Sequence, residues 1–485
     1  MNILFYHPTS YSDGYPEPPL GLGYLMNIVK KAGWKYEFFD EDHHSKFIQL
    51  SDTLQSLKPD LIVVSFMTPQ YYEVLKAIRK FKEHCPKSMI IGGGPHATAL
   101  PRETITEIEE IDFICKGEGE RTFEQFLEYL EGGSNLEDVD GLFYRKGNQI
   151  CANAPRELMT SSQMDDYSLD WDKIMEYGPY MQKLSYRGTI VPVFPIITAR
   201  GCPNHCTFCD EGNIWQNKVR IRSIDNVAAE VRLLVERYNA RCFNILDDTF
   251  TLKKSRVIEF CEKIKPLDIR FRITATVGSV DEEKLSYLAD AGCDLISYGV
   301  ESGDEDVLRI MKKRQTLQEV KRAFDLTKKA GILSYALCMV GNIGEDMAAV
   351  KRTAKLLDEI KPDLASCSMM MPYPGSENYR ICKDNGWIIH HNWKHWIPSL
   401  LKTKGYKVVS RTNKMDENEL MDAYYFMNRS ILINRFRHKY GRCFPVNIRF
   451  YLLELLPRLR GIGVRAFVGH IVKFFKTSVL HRGGM

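Results

Sequence analysis

Arg200-Gly-Cys-Pro-Asn-His-Cys-Thr-Phe-Cys209, entered from the apolar run Pro192-Val-Phe-Pro-Ile-Ile-Thr198, is the stretch on which the fold turns. The apolar run reads as a β-strand. Cys202, Cys206 and Cys209 then lie on the loop leaving it, where Gly201 and Pro203 bend the backbone. Three thiols this close can wrap one soft metal centre but cannot complete a four-thiolate cage. Tetrahedral zinc and all-cysteine clusters both take a fourth protein ligand. The spacing therefore suggests an iron–sulfur cluster with one iron open to a small molecule. Two plainer arrangements compete: buried structural thiols, and a zinc knuckle that borrows His205. The strand-exit position, where α/β barrels place their reactive groups, favours the cluster.

Downstream of this loop the pattern alternates. Strands are expected at 193–198, 242–246, 271–275, 295–300, 334–340 and 365–370, with helices such as 225–237, 281–291, 316–330 and 346–360 between them. Six such units predict a partial (β/α)6 barrel, open on one side. Upstream, strands are expected at 2–6, 35–39, 61–65 and 89–91, and helices at 20–33 and 71–84. Strand–helix alternation predicts a doubly wound, Rossmann-like parallel sheet, whose ligands bind beyond the carboxyl ends of the strands. No G-x-G-x-x-G follows the first strand, so a dinucleotide is not expected there. The layout read from the sequence is a first domain over 1–150, a polar linker over 151–190, the barrel over 191–385 and a helical, basic extension over 386–485.

The chain has 485 residues, 44 % of them hydrophobic, a length that suits about three domains. It contains no uncharged apolar run of the roughly 18 residues that a spanning helix needs. The net charge of +4 is uneven: residues 434–485 carry eleven Arg and Lys against Glu454 alone, a net +10, which leaves −6 for residues 1–433. The other ten cysteines, Cys85, Cys115, Cys151, Cys242, Cys261, Cys293, Cys338, Cys367, Cys382 and Cys443, show no CxxC pairing. With no recognisable signal peptide, they are expected to be reduced thiols of a cytoplasmic protein.

The cysteine spacing, with Phe208 just before the last cysteine, resembles that of the radical S-adenosylmethionine (SAM) superfamily. The resemblance implies a [4Fe–4S] cluster on Cys202, Cys206 and Cys209, with SAM chelating the open iron and Phe208 at the SAM site. Reduction of the sulfonium would then give a 5′-deoxyadenosyl radical. Further motifs fit the same family. Phe243-Asn-Ile-Leu-Asp-Asp-Thr-Phe250 stands where the family carries Gly-Gly-Glu, so Asp247 and Asp248 are expected at the SAM amino group. Ser297-Tyr-Gly-Val-Glu-Ser-Gly303 puts Glu301 at a strand end, where a carboxylate can take the ribose hydroxyls. Val340-Gly-Asn-Ile-Gly-Glu345, with Gly341, resembles the adenine-side glycine motif, and Met370-Met-Pro-Tyr-Pro-Gly-Ser-Glu377 the closing loop. The ordinary alternative for these acids is a capped turn with solvated carboxylates.

In the first 150 residues, Ser65, the loop Gly92-Gly93-Gly94 with His96, and Gly117-Glu118-Gly-Glu120 resemble the cobalamin-binding domain of class B radical SAM enzymes. The D-x-H-x-x-G motif, whose histidine ligates cobalt in cobalamin mutases, is missing. The corresponding loop is His7-Pro-Thr-Ser-Tyr-Ser-Asp-Gly14. The resemblance implies a methyltransferase that uses both cofactors to methylate an unactivated carbon, or less readily a phosphinate phosphorus, of a small-molecule or lipid-like substrate. It also implies an external one-electron donor of flavodoxin or ferredoxin type. The alternatives are a non-methylating cyclisation or ring rearrangement, and a cofactor-binding sensor without turnover.

Beyond 385 the family likeness fades. Trp387, His390, His391, Trp393, His395 and Trp396 form an aromatic, histidine-rich patch, expected to line a cavity or pack rather than hold a metal. A helix is expected over 417–433. The stretches 444–460 and 464–480 interleave apolar and basic residues and could lie on a membrane surface, or cap the barrel instead. No nucleic-acid module accompanies the basic charge, so no nucleic acid is expected as a partner.

Overall fold

Strand β1 (Asn2–His7) is buried from Ile3 to His7, and its alternate residues serve two different cores. Ile3 and Phe5 join one hydrophobic cluster, Leu4 and Tyr6 another. A strand covered on both faces must be apolar throughout, as a parallel sheet requires. Around it lie β2 (Lys35–Asp40), β3 (Leu61–Ser65), β4 (Met89–Gly93) and β5 (Phe113–Cys115), in the order β2-β1-β3-β4-β5, all parallel. Helices Leu20–Lys31, Tyr71–His84 and Glu120–Leu130 cover the faces. The sheet is then extended by an antiparallel pair, β6 (Leu142–Lys146) and β7 (Gln149–Ala152). This computed structural model describes residues 1–9, 18–179, 183–397 and 407–440.

The second sheet opens with a hairpin inside the stretch expected to be a linker. Strand β8 (Lys183–Tyr186) pairs antiparallel with β9 (Thr189–Ile196) across Arg187-Gly188. Both turn residues have positive φ, 47° and 81°, as a two-residue type I′ turn demands. The chain then passes through β10 (Ala199–Arg200), the cysteine loop and β11 (Arg220–Ile221), which pairs back onto β10. The barrel strands follow: β12 (Cys242–Ile245), β13 (Arg270–Ala275), β14 (Cys293–Glu301), β15 (Leu333–Val340) and β16 (Leu364–Met369). Their order is β16-β15-β14-β13-β12-β9-β8, with the six strands from β9 to β16 mutually parallel. This is the six-unit open barrel expected from the sequence, with helices that the sequence reading did not name, among them Lys254–Ile264 and the short Glu305–Ile310.

The two sheets share one core. The face of the first sheet built from Ile3, Phe5 and Val63 continues through Leu169, Trp171 and Ile174 into Phe194, Ile196 and Phe243 of the barrel. The expected C-terminal helix runs over Glu417–Tyr440 and packs on β15, β16 and helix Met347–Ile360. The histidine-rich patch is packing. Trp396 is buried, Trp393 packs tilted against it at 4.7 Å, and Tyr373 donates to the carbonyl of Trp396 at 2.9 Å. Residues 441–485, which carry both basic stretches, lie outside the described residues. Among the described residues no helix is long and apolar enough to cross a membrane.

Candidate functional site at the carboxyl ends of the two sheets

The loop holding the three thiols is fixed by its backbone before any ligand is considered. Its entry is held by Asp247, which accepts from the amides of Thr198 and Ala199 at 2.7 and 2.9 Å and from the Thr198 hydroxyl. Arg256 sits behind this carboxylate at 3.7 Å and donates to the Thr198 carbonyl. Gly201 turns the chain at φ +90°, where a Cβ would run into the carbonyl of Lys218. Further along, the Thr207 amide donates to Met311 and its carbonyl accepts from Asn378. Phe208 packs beside Val307, Met311 and Met339, so its ring wedges the loop onto the barrel. Cys202, Cys206 and Cys209 are half-buried, and burial raises all three thiols above their ordinary pKa. Among the described residues no three His, Cys, Asp or Glu side chains close on a single ion.

The acids expected around SAM separate into two kinds. Asp247 is occupied by the loop entry, both its oxygens already meeting Thr198, Ala199 or Arg256. Asp248 is different: it accepts from the Gly201 amide at 3.1 Å and lies beside Glu211. Burial, and then the charge of Asp248, push Glu211 above the carboxylate range, while burial raises Asp248 and Asp210 too. Two acids this close share a proton rather than both ionising. Glu211 Oε2 is buried with no hydrogen-bond partner among the described residues. The group such an arrangement lacks is a cation.

Glu301 ends β14 with φ +60°, a left-handed backbone rare for a residue with a side chain. The register of β14 against β15 shifts at this point. Its Oε1 meets Lys313 Nζ at 3.0 Å, both side chains 13 % exposed. Burial works against the Lys313 charge, but Glu301 and then Cys206 outweigh it and hold the ammonium above its ordinary pKa. The sequence reading missed Lys313, which follows a short helix in a run of basic residues. Across the barrel mouth, the Gly341 and Asn342 amides donate to Glu345 Oε2 at 2.7 and 3.1 Å. Burial pushes Glu345 up to about 7. Glu345 therefore shapes the loop after β15 and leaves Gly341, at φ +84°, at its bend.

At the first sheet, Ser65 and the glycine loop meet. Gly94 has φ +90°, and a Cβ there would lie 2.7 Å from both the nitrogen and the oxygen of Phe66. His96 is buried against Phe66, Tyr71 and Trp393, its Nδ1 3.0 Å from Thr68 Oγ1. Burial lowers it to about 4, so it is neutral. His7 bonds through Nδ1 to the buried Asp40 at 2.8 Å. Gly117, at φ +85°, has no heavy atom of the described residues within 4 Å of where a Cβ would stand. Glu118 departs from expectation. It turns away from this edge and pairs with Arg200 and Arg220 of the barrel side, a partnership that only long-range folding could reveal.

Residues 196–357 match the radical SAM superfamily and residues 10–127 the B12-binding domain. The chain belongs to the B12-binding radical SAM proteins. Its cofactors are a [4Fe–4S] cluster, SAM and cobalamin. The residues present fit them. The radical SAM domain offers three thiols, a lysine that offsets their charge, and an acidic pair lacking a cation. The B12-binding domain offers a glycine-lined edge with open space at Gly117. An uncharacterised methyltransferase of Pyrococcus horikoshii is 27 % identical, over 91 % of this chain and 96 % of its own. The anaerobic magnesium-protoporphyrin IX monomethyl ester cyclase of Cereibacter sphaeroides is also 27 % identical, over 99 % of this chain and 76 % of its own. Two solved structures share the fold. One is the cobalamin-dependent SAM radical enzyme OxsB (TM-score 0.67, 17 % identity, 98 % of this chain, 71 % of that one). The other is the radical SAM methyltransferase TsrM of Kitasatospora setae (TM-score 0.65, 16 % identity, 87 % and 80 %).

Proposed function

We propose that this B12-dependent radical SAM enzyme transfers a methyl group to an unactivated carbon of a small organic substrate. The observation that carries the reading is the end-to-end likeness to a methyltransferase, 91 % of this chain on 96 % of that one. A hopanoid C-3 methylase of Methylococcus capsulatus, 25 % identical over 74 % of this chain and 68 % of its own, adds support. When bound, the cofactors supply a hydrogen-abstracting radical and a transferable methyl group.

The chain's own residues divide the remaining work. Cys202, Cys206 and Cys209 hold the cluster. Asp248 and Glu211 would receive the ammonium of SAM: a cation between them would let both carboxylates ionise, their shared proton passing to solvent, and would satisfy the buried Glu211 Oε2. Lys313 balances thiolate charge and the SAM carboxylate, and Glu301, paired with it, accepts from the ribose. Asp247 and Glu345 build the loops on either side of that site. Ser65, Gly92, Gly93, Gly94 and Gly117 form the edge on which cobalamin lies. His96 supports that edge from within the core. The single electron comes from a flavodoxin- or ferredoxin-type donor.

The cyclase relative supports a second reading, oxidative ring closure without methylation. The anaerobically reconstituted full chain, given reductant and SAM with a deuterated methyl group in extract, separates the two. Methylation gives 5′-deoxyadenosine and S-adenosylhomocysteine in equal amounts and a product carrying three deuterons. Deoxyadenosine with no S-adenosylhomocysteine and no labelled product would leave the cyclase reading in its place.

A further inference from the structure

The turn at 117–120 carries two carboxylates that serve no cofactor edge. Glu118 Oε1 meets Arg200 Nη1 at 2.8 Å, Glu120 Oε1 meets Arg200 Nη2 at 2.5 Å, and Glu118 Oε2 meets Arg220 Nη1 at 2.6 Å. The Met159 amide adds a fourth bond to Glu118 at 2.9 Å. All four charged side chains are at most 9 % exposed. The Arg200 guanidinium also lies between the rings of Tyr24 and Trp215, at 5.2 and 5.7 Å, and Arg220 faces Trp215 at 5.3 Å. Tyr24 and both glutamates belong to the B12-binding domain; the arginines and Trp215 frame the cysteine loop. Arg200 directly precedes Gly201-Cys202, and Trp215 closes the helix Glu211–Trp215 that follows Cys209.

Stability does not account for such a network. Desolvating these four charged groups roughly cancels their attraction, and apolar replacements often do as well. Arg220 moreover keeps Nε and Nη2 buried without partners among the described residues, which costs stability. A planar guanidinium gripped by two carboxylates at once does fix position and orientation. On the other side of the turn, the Gly117 amide donates to Thr98 Oγ1 at 3.1 Å, and Thr98 lies on the short helix after the Gly92-Gly93-Gly94 loop. One bonded path thus runs from the glycine edge through Thr98, Gly117, Glu118 and Arg200 to Cys202.

We propose that Glu118 and Glu120 are positioning residues that grip Arg200 and thereby set the distance between the cluster and the cobalamin. The proposal rests on the assignment of the cluster to the cysteine triad and of cobalamin to the glycine edge. Its test is pulsed electron paramagnetic resonance on the full chain loaded with both cofactors. The dipolar coupling between cob(II)alamin and the reduced cluster reports their separation. Glu118→Gln with Glu120→Gln, and separately Arg200→Lys, remove the fork while keeping the volume. Arg200→Lys keeps the buried charge as well, and so guards against a folding failure in the double variant. The expected result is wild-type iron and cobalt contents with loss of the single resolved coupling, and a fall in kcat at unchanged KM for SAM. An unchanged coupling in variants that load both cofactors would overturn the proposal. So would loss of the cluster itself, which would make these residues mere supports of the loop. Absence of either signal from the wild type would instead sink the cofactor assignment beneath it.

Discussion

Cys206 and Lys313 show how differently two residues of one site announce themselves. The cysteine is legible because its meaning lies in local spacing, and the fold around it was not needed to read it. Cys206→Ala should therefore abolish the cluster's visible absorbance and all 5′-deoxyadenosine release, while hydroxocobalamin still loads at wild-type stoichiometry. Retained deoxyadenosine formation would refute the assignment. Lys313 takes its meaning from Glu301, twelve residues away on a strained strand end, and nothing in its neighbourhood marked it. Removing one partner of a buried pair strands the other, at a cost on the order of 3 kcal/mol. Lys313→Met should lose about that much in urea unfolding of the cofactor-free protein, and adding Glu301→Gln should restore part of it. Additive losses would mean that the two do not act as a pair. The same logic applies to Glu118 and Asp247: both sit in family-like motifs, yet the partners they have in the fold arrive from elsewhere in the chain.

At the scale of elements, the longer parallel strands were readable; the hairpins and the three-residue parallel strand β5 were not. A strand buried on both faces is written as an apolar run, as in Leu61–Ser65. Strands β6, β7 and β8 lie at the margins of their sheets and mix polar with apolar residues, so none was expected, and the stretch 151–190 that holds β8 read as linker. The Arg187-Gly188 turn also lacked the usual asparagine or aspartate signal. Two predictions belong here. Gly201→Ala puts a Cβ into the Lys218 carbonyl at a positive φ, so the β10 exit must move. The variant should fold with its cluster content sharply reduced; full iron loading would show the bend to be dispensable. The packing of Trp393 and Tyr71 around His96 makes a pH prediction. Burial lowers His96 from the ordinary 6.5 to about 4, so between those values the unfolded chain binds the extra proton. Stability contributed by the neutral ring is complete above about pH 6.5 and is lost as pH falls toward 4, by on the order of 3 kcal/mol. His96→Gln should flatten the stability profile in that window. An unchanged slope would place the acid sensitivity in other groups.

The whole molecule is held by a core that ignores the boundary between its sheets. Trp171 is central to this. It is 5 % exposed, meets Phe194 of the barrel edge-to-face at 5.8 Å and donates to Glu230 at 3.0 Å. Beside it, Leu169 and Ile174 press so closely on helix Leu20–Lys31 that a Cβ at Gly23 would lie 2.7 and 2.9 Å from them. A seam packed this tightly transmits strain, so the two domains should unfold together rather than one after the other. That coupling is also what allows an arginine on one side to hold a loop against glutamates on the other. Urea unfolding of the cofactor-free wild type should give one transition, coincident by tryptophan fluorescence and by far-ultraviolet circular dichroism. Trp171→Ala opens a cavity in the seam and should cost roughly 3–5 kcal/mol. Because the cavity falls between the sheets rather than within either, it should also split unfolding into two transitions. A single, merely shifted transition in that variant would show that the remaining contacts, the Glu118–Arg200 grip among them, suffice to keep the sheets cooperative.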